Sequence, residues 1–258
     1  MSLLDEQFMA SLASLAKPVE GRFRWYLTAV VAIGALNYPE EIPGFYRALL
    51  ERYIPEAEQK KETRKIVEGL TKVCGIQGAA KTGNATRALA TAIPGHLKDD
   101  KVYRADQTFE EARQRGQRMI RSIYAPNPDY DGTLTKAAAP DYSWIVTNLF
   151  YGYIFSFDEI LGPLETGQVI IATLHGIDCQ EQLKNHMIGM MLNGAERKDL
   201  FVLRDIVTAI AQRLNVKFKG NTPTVPETPI PKPVNTAEQN PPDSLPKSST
   251  SLVADLDD

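Results

Sequence analysis

From residue 1 to residue 217, apolar side chains return every three or four positions, and apolar–polar alternation of strand length is absent. The pattern runs through Leu3–Leu15, Phe23–Leu36, Ile42–Ile54, Ile66–Leu89 and Ala112–Tyr124. It resumes in Tyr142–Ile160, Glu165–Leu174, Gln182–Leu192 and Leu200–Leu214. Turn signals such as "NYPEEIPG", "AIPGHLKDD" and "APNPDYDG" separate the stretches, and Pro39 and Pro163 stand where a helix start tolerates a missing N–H. The chain is therefore expected to be all-α.

After Phe218 the pattern stops. Residues 218–258 are proline-rich and low in apolar content, too little to offset the entropy of ordering them, so this segment is expected to be a disordered tail behind a helical domain at 1–217. The spacing of Pro229, Pro231 and Pro233 favours extended polyproline II. Within the helical part, Ala29–Leu50 runs parallel to Val169–Met191: an apolar helix, a polar break and a second helix with one apolar stripe. This suggests weak repeats at about 22–92 and 141–217, each copy giving the other a surface to bury.

Charge and hydropathy narrow the function. The net charge of −3 gives no basic field for nucleic acid or an anionic membrane. The longest apolar run, Trp25–Leu36, is shorter than the roughly 18–20 residues that span a bilayer. Two cysteines far apart form no disulfide framework and fit a reducing compartment. The N-terminus lacks the features of a signal peptide and the last residues lack a peroxisomal or retention address, so the expected location is cytoplasmic. Three scattered histidines offer no metal site.

The chemistry concentrates in "ATLHGIDCQEQLKNHMIGMMLNGA", residues 172–195. Asp178 is placed to cap a helix running from Cys179 to about Leu192, with Gly194 ending it. Cys179, Leu183, His186 and Met190 then share one stripe. Seven residues put Cys179 and His186 about 10 Å apart along the axis, which excludes a direct Cys–His pair within the helix. The imidazole reads either as a core histidine or as an acid–base group.

The spacing Cys179-x-x-Gln182-x-x-x-His186 lies in the register of the C-x-x-C-x-x-x-H motif of alkylhydroperoxidase D-like proteins. Leu161–Pro163, Ile170–Leu174, the run from Gln182 through His186 and Gly189 to Ala195, and Asp199-Leu200 resemble the wider carboxymuconolactone decarboxylase family. The resemblance implies an alkylhydroperoxidase D-like helical fold centred on a helical hairpin, assembled into homo-oligomers. It further implies an enzyme, lyase or isomerase in type, that acts without metal or redox cofactor on a small organic acid, lactone or polyketide-like metabolite, as in secondary metabolism. His186 would carry the proton, Gln182 would orient a carbonyl, and Glu165 would be a second acid–base group.

Gln182 stands where the redox branch has its second cysteine, so a thiol-dependent hydroperoxidase is disfavoured. The remaining alternative is a non-catalytic member acting as a binding or assembly subunit. Cys179, Cys74 and Trp144 are the expected pocket walls. Trp144 lies in the aromatic-rich Asp141–Ile160 stretch, which reads as core or interface packing or as a pocket wall beside His186.

Overall fold

The computed structural model describes residues 3–128 and 130–231. Ten α-helices follow in order: α1 (Glu6–Leu15), α2 (Trp25–Ala35), α3 (Ile42–Arg52), α4 (Gln59–Ala90), α5 (Phe109–Tyr124), α6 (Thr133–Ala138), α7 (Pro140–Ile145), α8 (Pro163–Gly176), α9 (Gln180–Leu192) and α10 (Arg197–Arg213). There is no strand among the described residues, and the protein is all-α.

Helices α2 and α8 form the centre. Every residue of α2 from Tyr26 to Ala35 is buried, as is nearly all of α8 from Thr166 onward. A helix with no polar face needs neighbours all round, and the two pack on each other and on α4 and α10. Each buried Val, Leu or Ile contributes roughly 1.5–3 kcal/mol relative to exposure. One polar group that enters this core is bonded through its donor: Gln168 Nε2 donates to Arg24 O and Thr28 Oγ1, each at 2.7 Å.

The two central helices end in the same way. Leu36, Asn37 and Tyr38 donate their N–H groups to Ala32, Gly34 and Ile33. Ile177, Asp178 and Cys179 donate to Thr173, His175 and Leu174 in the same pattern. Asn37 and Asp178 both take the left-handed conformation, with φ of 67° and 58°. The offset persists through the next turn, where Ile54 N bonds Leu49 O as Ala195 N bonds Met190 O. The turns after α2 and α8 therefore share one hydrogen-bond register, and each of these two helices packs on both α4 and α10.

This turn corrects one expectation. Asp178 is not the N-cap of α9; it occupies the left-handed position, and its carboxylate accepts from Gln180 Nε2 and Lys219 N, each at 2.6 Å. Cys179 takes the N-cap place and makes no side-chain capping bond.

Helix α7 continues into a π-helical stretch, Val146–Phe155, with wider turns than an α-helix. Its C-terminal carbonyls are held by buried Lys72, whose ammonium donates to Ile154 O (3.2 Å), Phe155 O (2.8 Å) and Phe157 O. Helix α5, opened by a Thr108–Glu111 capping box, crosses this stretch closely. A Cβ on Gly116 would sit 2.6 Å from Gly152 N, so only glycine permits the crossing.

Beyond α10 the described residues form neither helix nor strand, yet they do not leave the body at 217. Val225 is 1% exposed, and Arg197 Nε donates to Pro226 O at 3.0 Å. Arg197 and Arg204 both lie against the Phe201 ring beneath this strap. Residues 223–227, expected to be disordered, thus pack along α10, because two guanidiniums satisfy carbonyls that no helix or sheet does. The rest of the expected tail, 232–258, lies outside the described residues.

Where the strap begins, Phe218 covers His175, with ring centroids 5.1 Å apart. His175 is fully buried and neither ring nitrogen has a hydrogen-bond partner among the described residues. Burial, with Arg204 next, pushes the imidazole down to about 4. Its pKa in the unfolded chain is higher, about 6.5. Its contribution is therefore intact above pH 6.5 and is lost as pH falls toward 4, because the unfolded chain takes the proton first. Replacing His175 by leucine is expected to remove a loss on the order of 2–3 kcal/mol between pH 7 and pH 4.5. Urea unfolding of both proteins at the two pH values measures it, and parallel losses in both would contradict it.

Candidate functional site

Helix α9 leaves the α8 turn with His186 two turns from its start, and α5 runs across it. Contact between these helices is set by Gly189, where a Cβ would come within 2.4 Å of Ile123 Cγ2. That approach brings Tyr124, the last residue of α5, to His186. Tyr124 Oη lies 3.2 Å from His186 Nε2, and the rings meet edge to face with centroids 5.9 Å apart. On its other side Tyr124 Oη is 2.8 Å from Tyr151 Oη, supplied by the π-helical stretch. Tyr130 lies against Tyr124 with ring centroids 4.2 Å apart.

These groups line a cleft of about 960 Å³. The apolar lining includes Ile76 of α4, Ile120 of α5, and Val146, Phe150 and Phe155 of the π-helical stretch. The polar lining includes Thr133, Thr135 and Lys136 with Gln182, Lys184 and Asn185 of α9. Ile177 and Cys179 close the end nearest the α8–α9 turn.

The cluster at the centre is uncharged at neutral pH. Burial alone pushes His186 down to about 4. Burial pushes Tyr124 up to about 12, against the opposing effect of its bond to Tyr151. Tyr151, which is 4% exposed, is raised well above the ordinary tyrosine value by burial first and by Tyr124 second. Among the described residues His186 has one hydrogen-bond partner, Tyr124. Neutral imidazole offers one donor and one acceptor. Tyr124 can therefore give its proton to Nε2 while accepting from Tyr151, or accept from both neighbours and aim its proton into the cleft.

Of the residues expected from sequence, His186, Gln182 and Cys179 meet in the cleft. Glu165 does not: its carboxylate pairs with Lys65 and accepts from Gly162 N at 3.3 Å, closing the first turn of α8. Trp144 faces outward, 51% exposed and stacked on Phe109. Cys74 is half-buried on α4 outside the lining, although the next residue, Gly75, is part of it. Burial pushes the Cys74 thiol up, and both cysteines are free. Tyr124 and Tyr151 were not anticipated. Tyr151 lies within the aromatic stretch that reads as a pocket wall; Tyr124 gives no sign beyond closing an amphipathic helix. No three His, Cys, Asp or Glu side chains form a metal-ligand set among the described residues.

No family model matches the chain, and no solved structure matches it. Among curated proteins it is similar to Peroxisomal protein 2 of Schizosaccharomyces pombe, 28% identical over 200 residues, covering 78% of this chain and 91% of that one. It is also similar to Peroxisomal protein 2 of Saccharomyces cerevisiae, 25% identical over 255 residues, covering 76% of this chain and 90% of the relative. No helix among the described residues is long and apolar enough to cross a membrane.

Tyr151 is buried and Tyr124 is the hydrogen-bond partner of its hydroxyl, so removing the Tyr124 hydroxyl strands the other. Tyr124→Phe is expected to destabilise the fold by about 1–3 kcal/mol. Adding Tyr151→Phe should restore much of that loss, giving a coupling on the order of 1 kcal/mol in a double-mutant cycle. Additive losses in chemical unfolding would mean that the two hydroxyls do not share the bond.

Proposed function

We propose that this chain is a carboxymuconolactone decarboxylase-like enzyme whose own side chains move a proton on an organic acid, lactone or polyketide-like metabolite. The observation that carries the reading is the Tyr124–His186 hydrogen bond inside a partly apolar cleft. Small-molecule sites are commonly concave and largely apolar with a few convergent polar groups, and this cleft has that form.

The geometry supports a relay. An acidic C–H or O–H of the substrate passes its proton to Tyr124 Oη as the tyrosine proton passes to His186 Nε2. The products are a substrate anion and an imidazolium. Desolvation, which disfavours imidazolium in the empty cleft, is offset when that anion lies beside it. Returning the proton to another carbon gives an isomer; returning it after loss of carbon dioxide completes a decarboxylation. Tyr151, hydrogen-bonded to Tyr124, holds the phenol in place and stabilises charge that develops on it. Gln182, on the polar side of the cleft, orients a substrate carbonyl. Cys179 is a wall residue here; with Gln182 at the second motif position it has no partner thiol for a resolving disulfide within that motif.

The names of both curated relatives place those proteins in the peroxisome, and we assign this chain to the same compartment in place of the cytoplasm. The assembly into homo-oligomers that the family resemblance implies belongs to the same reading.

Untargeted metabolite comparison of cells with the intact protein, with His186→Ala and without the protein tests the function. One metabolite pair should respond alike to deletion and to His186→Ala. A mass difference of one carbon dioxide identifies decarboxylation, and an isomer identifies proton transfer alone. A His186→Ala protein that is folded and restores every metabolite level removes His186 from catalysis.

A further inference from the structure

The cleft is large for a single-ring acid. Its volume of about 960 Å³ lies at the upper end of the roughly 300–1,000 Å³ of sites that enclose drug-sized molecules. Its lining also mixes two kinds of surface. Apolar side chains come mainly from α4, α5 and the π-helical stretch, with Leu174 and Ile177 beside the α8–α9 turn, and polar ones mainly from α6, its approach and α9, with Ser143 and Thr147. Among the charged lining residues Lys136 and Lys184 are matched in number by Asp131 and Glu181, so hydrogen-bonding capacity rather than net charge marks the polar part.

Two lining residues carry aromatic surface out of the cleft. Tyr130 is 37% exposed and Tyr142 56% exposed, and both line it. The aromatic surface of the cleft thus extends toward solvent.

We propose that the substrate is a multi-ring or comparably bulky amphiphile. Its apolar body lies against Ile76, Ile120, Phe150 and Phe155, and its polar, reacting end lies between Tyr124, His186 and the α9 side. This rests on the reading of the cleft as a substrate site and narrows it. A single-ring acid leaves most of the apolar wall uncovered. Each further ring buries apolar surface worth about 25 cal/mol per Å².

The test uses the full chain and three carboxylates of increasing apolar size: cyclohexanecarboxylate, 2-naphthoate and 1-pyrenebutyrate. Affinity measured by calorimetry should rise about tenfold at each step, which is about 1.4 kcal/mol. Slower alkylation of the Cys179 thiol in the presence of ligand reports occupancy of this cleft rather than of apolar surface elsewhere. Thr147→Trp, which adds bulk to the wall, should weaken 1-pyrenebutyrate at least about tenfold and leave cyclohexanecarboxylate within about twofold. A flat or reversed size series, or equal weakening of both ligands, overturns the proposal.

The outcome separates from that of the enzyme reading through His186→Ala. If the size series holds and this variant changes no metabolite, the cleft binds amphiphiles without catalysing their reaction. If His186-dependent turnover is found but the series is flat, the enzyme reading stands and the substrate class falls.

Discussion

Two helices without a polar face impose the rest of the structure. Beyond their first turns neither α2 nor α8 has a side open to water, so each must be enclosed, and neither can be enclosed by the other alone. Helices α4 and α10 supply the lateral cover, and α3 and α9 turn away from the ends of the central pair. The left-handed turns at Asn37 and Asp178 are the local cost of that exit, each fixed by three backbone hydrogen bonds. The cleft forms at one such exit, where α9 diverges from α8 and α5 with the π-helical stretch closes over the gap.

Helical periodicity was legible because it is a property of neighbouring residues: a stripe at intervals of three and four needs no knowledge of what covers it. The grouping of His186, Gln182 and Cys179 was legible for the same reason, since all three lie on or beside one helix. Tyr124 and Tyr151 were not, because their meeting with His186 depends on α5 and the π-helical stretch, remote in sequence, and on Gly116 and Gly189 allowing those elements to approach. The misplaced residues share a cause. Asp178 met a better donor in Lys219 N, Glu165 met Lys65, and Trp144 found Phe109 on the outer surface. Each local expectation lost to a partner brought in by tertiary structure.

The strap after α10 shows the same competition acting on composition. A proline-rich segment has little to bury and cannot donate at its prolines, yet its carbonyls remain strong acceptors. Arg197 and Arg204, spaced two turns apart on one helix face, present donors to those carbonyls, and Val225 supplies the apolar anchor. Composition describes what a segment can do alone; it is silent on a surface elsewhere in the chain that suits an extended peptide.

The shared register of α2–α3 and α8–α9 has a consequence for how such a chain can change over time. Carried through the same offset, His186 falls on Phe45, a side chain with no exposure, and Cys179 falls on Tyr38. At the same register, then, one turn-and-helix unit turns its side chain into the packed bundle while the other presents His186 and Cys179 to the cleft. Substitutions at the cleft-facing positions of α9 can therefore reshape the cleft while α3 keeps its place in the packing.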